Sequence, residues 1–274
     1  MWWRWASRLL VRWHERRSVL ASIAARKEEL ERLRPLSPEA LARLEHYFDL
    51  EITWTSNAIE GNTLSPVETT LVIEQGVTIA GKPLKDHLEA LDHFDAIRYV
   101  RELARQTAAG LTQHDVRALH SLVVRRSRPD IAGRYADLPR YIRTEAGRYT
   151  FASPIEVPPL MSDFSEWLQV APDNLATALE AHRRLVGLHP FNDGNGRTAR
   201  LLMNLLLIRA GYPPVAVRPE DRLEYIRGLQ EDQAGEGTGR FDALLHQRLD
   251  ATLQEYVSVL SELCDPSTPP HNAA

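Results

Sequence analysis

The chain has 274 residues and a formal net charge of −4. This length allows one large or two small domains with a sizeable core, and the slightly acidic balance gives no sign of a general nucleic-acid-binding protein. The single cysteine, Cys264, excludes an internal disulfide framework and suits a reducing compartment, so we expect a cytoplasmic location. No run approaches the roughly 18 apolar residues that a membrane-spanning helix needs.

The N-terminal residues 1–17 contain four tryptophans and five arginines. The arginines interrupt any apolar stretch of the kind that a signal peptide requires. Trp5, Leu9 and Trp13 recur at helical spacing with arginines on another side, which predicts an amphipathic helix. Such a helix can lie on an anionic membrane, but we favour packing of its tryptophans on the body of the protein or on a second subunit.

Helix start and stop signals recur along most of the chain. Ser37-Pro38 and Ser65-Pro66-Val67-Glu68 each place a capping serine before a proline in the first helical turn, and the second is a capping box. After Ser37, the spacing of Leu41, Leu44, Tyr47 and Phe48 predicts an inward face. The predicted helices from there on cover residues 65–76, about 88–110, 111 onward, 157–167, 174–188, 198–210, 219–232 and 241–263.

The exception to this helical pattern is the stretch 133–151. Tyr141-Ile142 and Tyr149-Thr150-Phe151 flank Glu145-Ala146-Gly147, which predicts a β-hairpin with a glycine-containing turn. The predicted fold class is therefore all-α with one β-hairpin. The hairpin could hold a partner segment by strand addition, or it could be purely structural.

The most informative run extends from His189 to Arg200 and reads His-Pro-Phe-Asn-Asp-Gly-Asn-Gly-Arg-Thr-Ala-Arg. Gly194 and Gly196 let the backbone approach a ligand, and they precede a predicted helix whose free N–H groups favour an anion. The side-chain amide of Asn195 can add a further contact. Arg197 and Arg200 lie three residues apart, so both can grip phosphate oxygens from one side of the helix.

Two further side chains in this run suit phosphate chemistry. Asp193 offers a hard oxygen ligand, and Mg²⁺ prefers one or two carboxylates together with substrate phosphates. His189 has an ordinary pKa near neutrality, which suits a general base. Each residue alone has a common structural explanation, as a core histidine, a turn or a solvated charge. Only their joint order and spacing point to a site.

That order resembles the signature of the Fic family, His-x-Phe-x-Asp/Glu-Gly-Asn-Gly-Arg-x-x-Arg, at every fixed position. The resemblance extends from about residue 111 to about residue 256. It implies a Fic-type helical core whose hairpin, the flap, covers the site, and a transfer of AMP from ATP to a protein hydroxyl with Mg²⁺ or Mn²⁺ as cofactor. The implied roles are base for His189, metal ligand for Asp193, buried anchor for Phe191, and nucleotide binding for Gly194, Asn195, Gly196, Arg197, Arg200 and Tyr225.

A second run, from Ser56 to Asn62, resembles the inhibitory pattern Ser/Thr-x-x-x-Glu-Gly/Asn that precedes the core in one class of this family. The resemblance implies that Ser56, Glu60 and Gly61 form an inhibitory motif in which Glu60 pairs with Arg200. ATP could then bind only in a non-productive pose. Glu60 could instead be an ordinary charge at a helix end. In some relatives the same glutamate aligns a water that removes AMP from a modified target.

The chain departs from the family pattern at three positions. Ala136 follows Gly133-Arg134-Tyr135 where relatives usually have arginine, and Ile226 and Gln233 stand where they often have an aromatic residue and asparagine. ATP remains the expected nucleotide because adenine is the commonest base in the family.

The sequence leaves three functions open. They are an autoinhibited protein adenylyltransferase acting on Ser, Thr or Tyr hydroxyls, a de-AMPylating phosphodiesterase using the same site, and a nucleotide-sensing binding module. The expected partners are ATP, a protein substrate and, by resemblance, a second copy of the chain. The expected organisation is an N-terminal helical region (1–109), the Fic core (110–265) and a polar tail (266–274).

Overall fold

The computed structural model describes residues 2–106, 110–144 and 147–264 of the chain. Within these residues the fold comprises ten α-helices and one two-stranded antiparallel sheet, which confirms the predicted fold class. The elements are α1 (Trp2–Arg32), α2 (Pro38–Ile59), α3 (Pro66–Gln75), α4 (Leu84–Ala104), α5 (Gln113–Val123), β1 (Tyr141–Thr144), β2 (Gly147–Thr150), α6 (Val157–Val170), α7 (Leu175–Leu188), α8 (Asn195–Arg209), α9 (Arg222–Gln233) and α10 (Arg240–Cys264).

The N-terminal segment is helical, as predicted, and forms the start of α1. Its side chains through residue 16, including those of Trp5, Leu9 and Trp13, lie outside the described residues, so the choice between membrane and packing remains a prediction. The later part of α1 packs along α10, where Asp250 accepts hydrogen bonds from Ser22 and Arg26. Among the described helices, none combines the length and the apolar composition that a bilayer-spanning segment requires.

Local capping rules account for the helix starts in the N-terminal region. The Ser65 hydroxyl accepts from the Glu68 N–H, and the Glu68 carboxylate accepts from the Ser65 N–H, which confirms the capping box. The predicted inward face of α2 is half wrong. Leu44 and Phe48 are buried, but Leu41 and Tyr47 are exposed, because the elements that pack on α2, chiefly α4, α3 and α10, do not cover these two side chains.

The central helix of the fold is α8, which packs against α7, α4 and α5. Its residues from Leu201 to Leu207 are all buried, so the helix is enclosed on every side and not only on one apolar stripe. It begins at Asn195, three residues before the predicted start, because Gly194 adopts φ 76° and serves as the N-cap. The glycine-rich run is therefore the first turn of the central helix.

The hairpin is confirmed, with Ile142 opposite Tyr149 and Arg143 opposite Arg148, while its turn residues Glu145 and Ala146 lie outside the described residues. The segment before β1 is tied to the signature run by two hydrogen bonds. Ala136 N–H donates to the Pro190 carbonyl at 2.9 Å, and the Asn192 side chain donates to Asp137 at 2.9 Å. The fold thus holds the base of the hairpin against the run that begins at His189.

Candidate active site

His189 lies where α7 ends and the signature run begins. It is a C-cap residue in the left-handed conformation, with φ 49°, and it is the one described non-glycine residue with positive φ. Such a conformation is uncommon for a residue with a side chain and is found at functional sites. The imidazole stacks on Phe151, just after β2, with ring centroids 4.0 Å apart. The hairpin therefore covers one face of the imidazole ring.

Burial lowers the pKa of His189 to about 4, and the charge of Arg140 acts in the same direction. The nearby carboxylates of Glu60 and Asp193 oppose this shift but do not cancel it. The imidazole is therefore neutral at neutral pH and can accept a proton. A bound polyanion in the adjacent turn would raise its pKa, because negative charge favours the imidazolium form.

The signature turn is held together by Phe191 and Asn195. The Asn195 amide donates to the Phe191 carbonyl at 2.7 Å, and its oxygen accepts from the Phe191 N–H at 2.9 Å. The side-chain amide that the sequence suggested as a ligand contact is thus used inside the turn. The backbone N–H of Asn195, in the first turn of α8, lacks an intrahelical partner and remains suited to an anion.

His120, on α5, supports the same turn and was missed by the sequence analysis. Its ring stacks on Phe191 at 3.7 Å, its Nδ1 accepts from the Gly133 N–H, and its Nε2 donates to the Asp193 carbonyl. Burial lowers the pKa of His120 to about 4, so this neutral tautomer is stable at neutral pH. A Cβ at Gly194 would press on His120 and Val124, so glycine also allows this close packing.

The inhibitory motif and the end of the signature run meet in space. Oε1 of Glu60 accepts a hydrogen bond from Nη2 of Arg200 at 2.7 Å. Ser56 also contacts this guanidinium, since its hydroxyl accepts from Nε at 2.9 Å and its carbonyl accepts from Nη2 at 2.8 Å. Gly61, with φ 95°, follows Glu60 at the end of α2. The predicted residues Ser56, Glu60 and Arg200 therefore form one cluster.

Glu60 lies directly over the first turn of α8. A Cβ at Gly196 would clash with its Oε1, so the carboxylate occupies the space that the glycine leaves open. Partial burial by itself would raise the pKa of Glu60, but the charge and hydrogen bond of Arg200 outweigh it and hold that pKa below its ordinary value. The carboxylate is thus an anion at a position where the helix N-terminus favours one.

Tyr225, on α9, stands behind Arg200. Its buried hydroxyl accepts from Arg200 Nη1 at 3.4 Å and donates to Nε2 of His182 at 2.7 Å. Burial holds the pKa of His182 well below its ordinary value, so this histidine is a neutral acceptor. Tyr225 thereby orients the guanidinium, and its contact with a nucleotide remains a prediction. His182 carried no signal in the sequence beyond its place on the apolar face of α7.

Arg197 and Asp193 face each other across the start of α8. Nη2 of Arg197 lies 3.6 Å from Oδ1 of Asp193, and its Nη1 lies 3.2 Å from Oε1 of Glu89 on α4. Asp193 also accepts from the Gly194 N–H at 2.6 Å, while its side chain keeps 39% of its surface exposed. Glu89 was missed because a glutamate within a helix has no distinctive sequence pattern.

Asp193 fits a metal that is shared with a ligand. No group of three or more His, Cys, Asp or Glu side chains in the described part of the chain is arranged to hold a metal ion. A single half-exposed carboxylate beside an anion-binding helix terminus matches Mg²⁺, which takes one or two carboxylates and completes its shell with phosphate oxygens and water. Asp193 is the residue that would hold the ion.

A cavity of about 620 Å³ opens between the hairpin and helices α6, α7 and α9. It begins beside Gly187 and Leu188, immediately before His189, and Tyr149 of β2 forms part of its wall. Asp232 and Gln233 of α9 supply polar groups to it, and burial raises the pKa of Asp232. The volume lies in the range of small-ligand pockets.

Comparison with known proteins identifies relatives of this chain. A family model described as Fic/DOC family matches residues 110–207. Protein adenylyltransferase fic-1 of Caenorhabditis elegans is 32% identical over 254 residues, which cover 91% of this chain and 49% of that protein. Protein adenylyltransferase Fic of Nematostella vectensis is 35% identical over 203 residues, covering 73% of this chain and 46% of that protein.

A solved structure of a fragment of Fic-1 from C. elegans shares the fold. Its TM-score is 0.77 at 32% identity, and the match covers 89% of this chain and 71% of that chain. The chain spans about half the length of the curated relatives that it matches.

Proposed function

Because this chain belongs to the Fic/DOC family, we propose that it is a protein adenylyltransferase that moves AMP from ATP to a Ser, Thr or Tyr hydroxyl of a target protein. The relatives named above are protein adenylyltransferases. The observation that carries the proposal is the single cluster of a neutral His189, the half-exposed Asp193 and the helix N-terminus at Gly196, which the Glu60 carboxylate covers. This cluster contains a base, a metal ligand and an anion site within one turn.

The chemistry assigned to these residues is an in-line displacement. His189 accepts the proton of the target hydroxyl, whose oxygen forms a bond to the α-phosphorus. The bond from that phosphorus to the bridging oxygen breaks, and pyrophosphate leaves with the electron pair. The N–H groups at the start of α8 and the guanidinium of Arg200 stabilise the charge on the phosphates. A divalent ion on Asp193 would neutralise further phosphate charge.

We further propose that Glu60 keeps the enzyme inactive. Its carboxylate is hydrogen-bonded to Arg200 at 2.7 Å and fills the space over Gly196. An incoming phosphate meets a like charge there and finds the guanidinium already paired. Displacement of Glu60 would free both the arginine and the helix terminus.

ATP is the proposed nucleotide. The cavity beside His189 is lined by the carboxylate of Asp232 and the amide of Gln233, and both can accept a hydrogen bond from an exocyclic amino group. Adenine carries such a donor and uracil does not. Thermal shifts of Glu60→Gly protein with Mg²⁺ and each nucleotide test this choice. Stabilisation by UTP or GTP, with none by ATP, would reverse it.

The test of the function uses ATP labelled at the α-phosphate. Wild type, Glu60→Gly and Glu60→Gly/His189→Ala proteins are incubated with it and with a cell lysate, and protein-bound label is counted. Glu60→Gly should label about 5- to 150-fold faster than wild type, the range of ordinary coupling energies between sites. The label should vanish in the double variant, whose phosphate site is intact but whose base is missing.

The same experiment separates the alternatives. Label that is lost from pre-modified protein only when Glu60 is present would support a de-AMPylating phosphodiesterase, in which Glu60 aligns a water. ATP binding without any protein-bound label would support a nucleotide-sensing module. An equal rate in wild type and Glu60→Gly would refute the inhibitory role of Glu60. Pairing into a homodimer and a cytoplasmic location remain proposals.

A further inference from the structure

Glu89 lies in the middle of α4, outside both motifs, yet its carboxylate contacts the signature run. The residue is buried, and its Oε1 lies 3.2 Å from Nη1 of Arg197 and 3.3 Å from Nζ of Lys85. Its Oε2 accepts from the Asn62 amide at 3.2 Å. Because Asn62 directly follows the inhibitory motif, Glu89 joins the end of α2 to the first turn of α8.

The guanidinium that Glu89 contacts is almost completely buried, with 2% of its side chain exposed. Two carboxylates are within reach of it. The Glu89 ion pair is the shorter, at 3.2 Å against 3.6 Å for Asp193, and Nη1 of Arg197 forms no hydrogen bond with either carboxylate. Arg197 therefore lies closer to Glu89 than to Asp193, and its contacts with both carboxylates are ion pairs without a hydrogen bond.

A buried guanidinium requires a carboxylate partner, since a desolvated charge without one is strongly unfavourable. If the negative charge of Glu89 were absent, Asp193 would be the nearest carboxylate. Asp193 lies just before α8 and Arg197 lies in its first turn, so the Asp193 carboxylate already stands 3.6 Å from the guanidinium. Arg197 would then pair with the carboxylate that a divalent cation needs, and its positive charge would repel that cation.

We propose that Glu89 is a positioning residue that holds Arg197 away from Asp193 and so keeps Asp193 available to Mg²⁺. The inference rests on the proposed function, in which Asp193 carries the metal of the nucleotide complex. Glu89 acts through Arg197 and touches neither the metal nor the substrate. A role confined to stability would place Glu89 in the same position but would leave the metal affinity unchanged.

The test compares Glu60→Gly protein with Glu60→Gly/Glu89→Gln protein. Glutamine keeps the size of the side chain and can still accept from Asn62, but it removes the charge that pairs with Arg197. Thermal stabilisation by a fixed concentration of ATP is measured as Mg²⁺ is raised, and label incorporation is measured in parallel. The Mg²⁺ midpoint should rise by about 10- to 100-fold, the usual effect of losing a partner of a metal ligand. A high Mg²⁺ concentration should restore label incorporation by the Glu60→Gly/Glu89→Gln protein.

Lys85→Gln in the Glu60→Gly background is the matched control. It removes the exposed cation on the same carboxylate and leaves Arg197 paired, so the midpoint should not move. If Glu89→Gln does not fold, Glu89→Asp is used instead. It moves the carboxylate away from Arg197 by the length of one methylene group and should give a smaller rise in the Mg²⁺ midpoint.

The two proposals fail in different ways. An unchanged Mg²⁺ midpoint in a folded Glu89 variant overturns the positioning role and leaves the adenylyltransferase intact. If Glu60→Gly itself shows no Mg²⁺-dependent binding of ATP, the proposed function falls and the role of Glu89 falls with it.

Discussion

Both arginines of the signature run are paired with a glutamate from the N-terminal helices, but the two pairs differ in how far water reaches them. Glu60 stands at the end of α2 with 40% of its side chain exposed, whereas the side chain of Glu89 is 7% exposed in the middle of α4. A hydrated carboxylate at a helix end can leave its partner at small cost, but a buried one cannot. The first pair is suited to switching and the second to holding a fixed geometry.

The largest expected difference between the pairs is in stability. Glu89→Ala should lower the free energy of unfolding by about 3–5 kcal/mol, because it leaves Arg197 buried beside a cavity without its nearer partner. Glu60→Ala should lower the same quantity by less, about 1–2 kcal/mol, because its own carboxylate is partly hydrated and the buried Arg200 keeps its hydrogen bonds to Ser56 and Tyr225. Urea unfolding of both variants measures this. Equal losses would remove the distinction between a switching and a fixed pair.

A second, smaller effect concerns the space over Gly196. Gly196→Ala should destabilise wild type by only up to about 1 kcal/mol, because the added methyl group displaces the partly exposed Glu60 carboxylate from Arg200. In Glu60→Gly protein most of that loss should disappear, since the first neighbour is gone. The unfolding free energies of wild type, Gly196→Ala, Glu60→Gly and the double variant form a cycle that gives the coupling energy between positions 60 and 196. Additive losses would mean that Glu60 does not occupy this space in solution.

The sequence could predict the parts of the site that depend on neighbouring residues. The run from His189 to Arg200 is one turn and the start of one helix, so helix-terminus rules and the family signature locate its residues relative to one another. The Ser65 capping box and the hairpin follow from equally local rules. The pairing of Glu60 with Arg200 spans 140 positions, and it was predicted only because the family pattern links the two motifs.

The supporting residues could not be predicted in this way. His120, His182 and Glu89 lie within ordinary helices, and they reach the site only through the packing of α5, α7 and α4 around α8. Packing also explains why the predicted inward face of α2 was half wrong. Apolar spacing shows which residues share a face of α2, but how much of that face its neighbours cover decides whether Leu41 and Tyr47 are buried.

The smallest expected effect is the pH dependence of the exposed pair. Arg200 holds the pKa of Glu60 below its ordinary value in the folded protein. The ionised pair therefore stabilises the fold above the unfolded pKa of about 4.3, and this contribution is lost as the pH falls through the folded pKa. Wild type should exceed Glu60→Gln in unfolding free energy by about 0–1 kcal/mol near neutral pH, and the difference should shrink in acid.

The dependence of stability on ionic strength also distinguishes the Glu60 pair from the Glu89 pair. The Glu60 contribution should also decrease as ionic strength rises, because exposed charges are screened, whereas the difference between wild type and Glu89→Gln should respond much less, since that pair is buried. Unfolding curves of the three proteins at two pH values and two salt concentrations measure both trends. If the difference in unfolding free energy between wild type and Glu60→Gln grew in acid, the Glu60 carboxylate would have to be protonated in its pair with Arg200. Its proposed repulsion of an incoming phosphate would then have no physical basis.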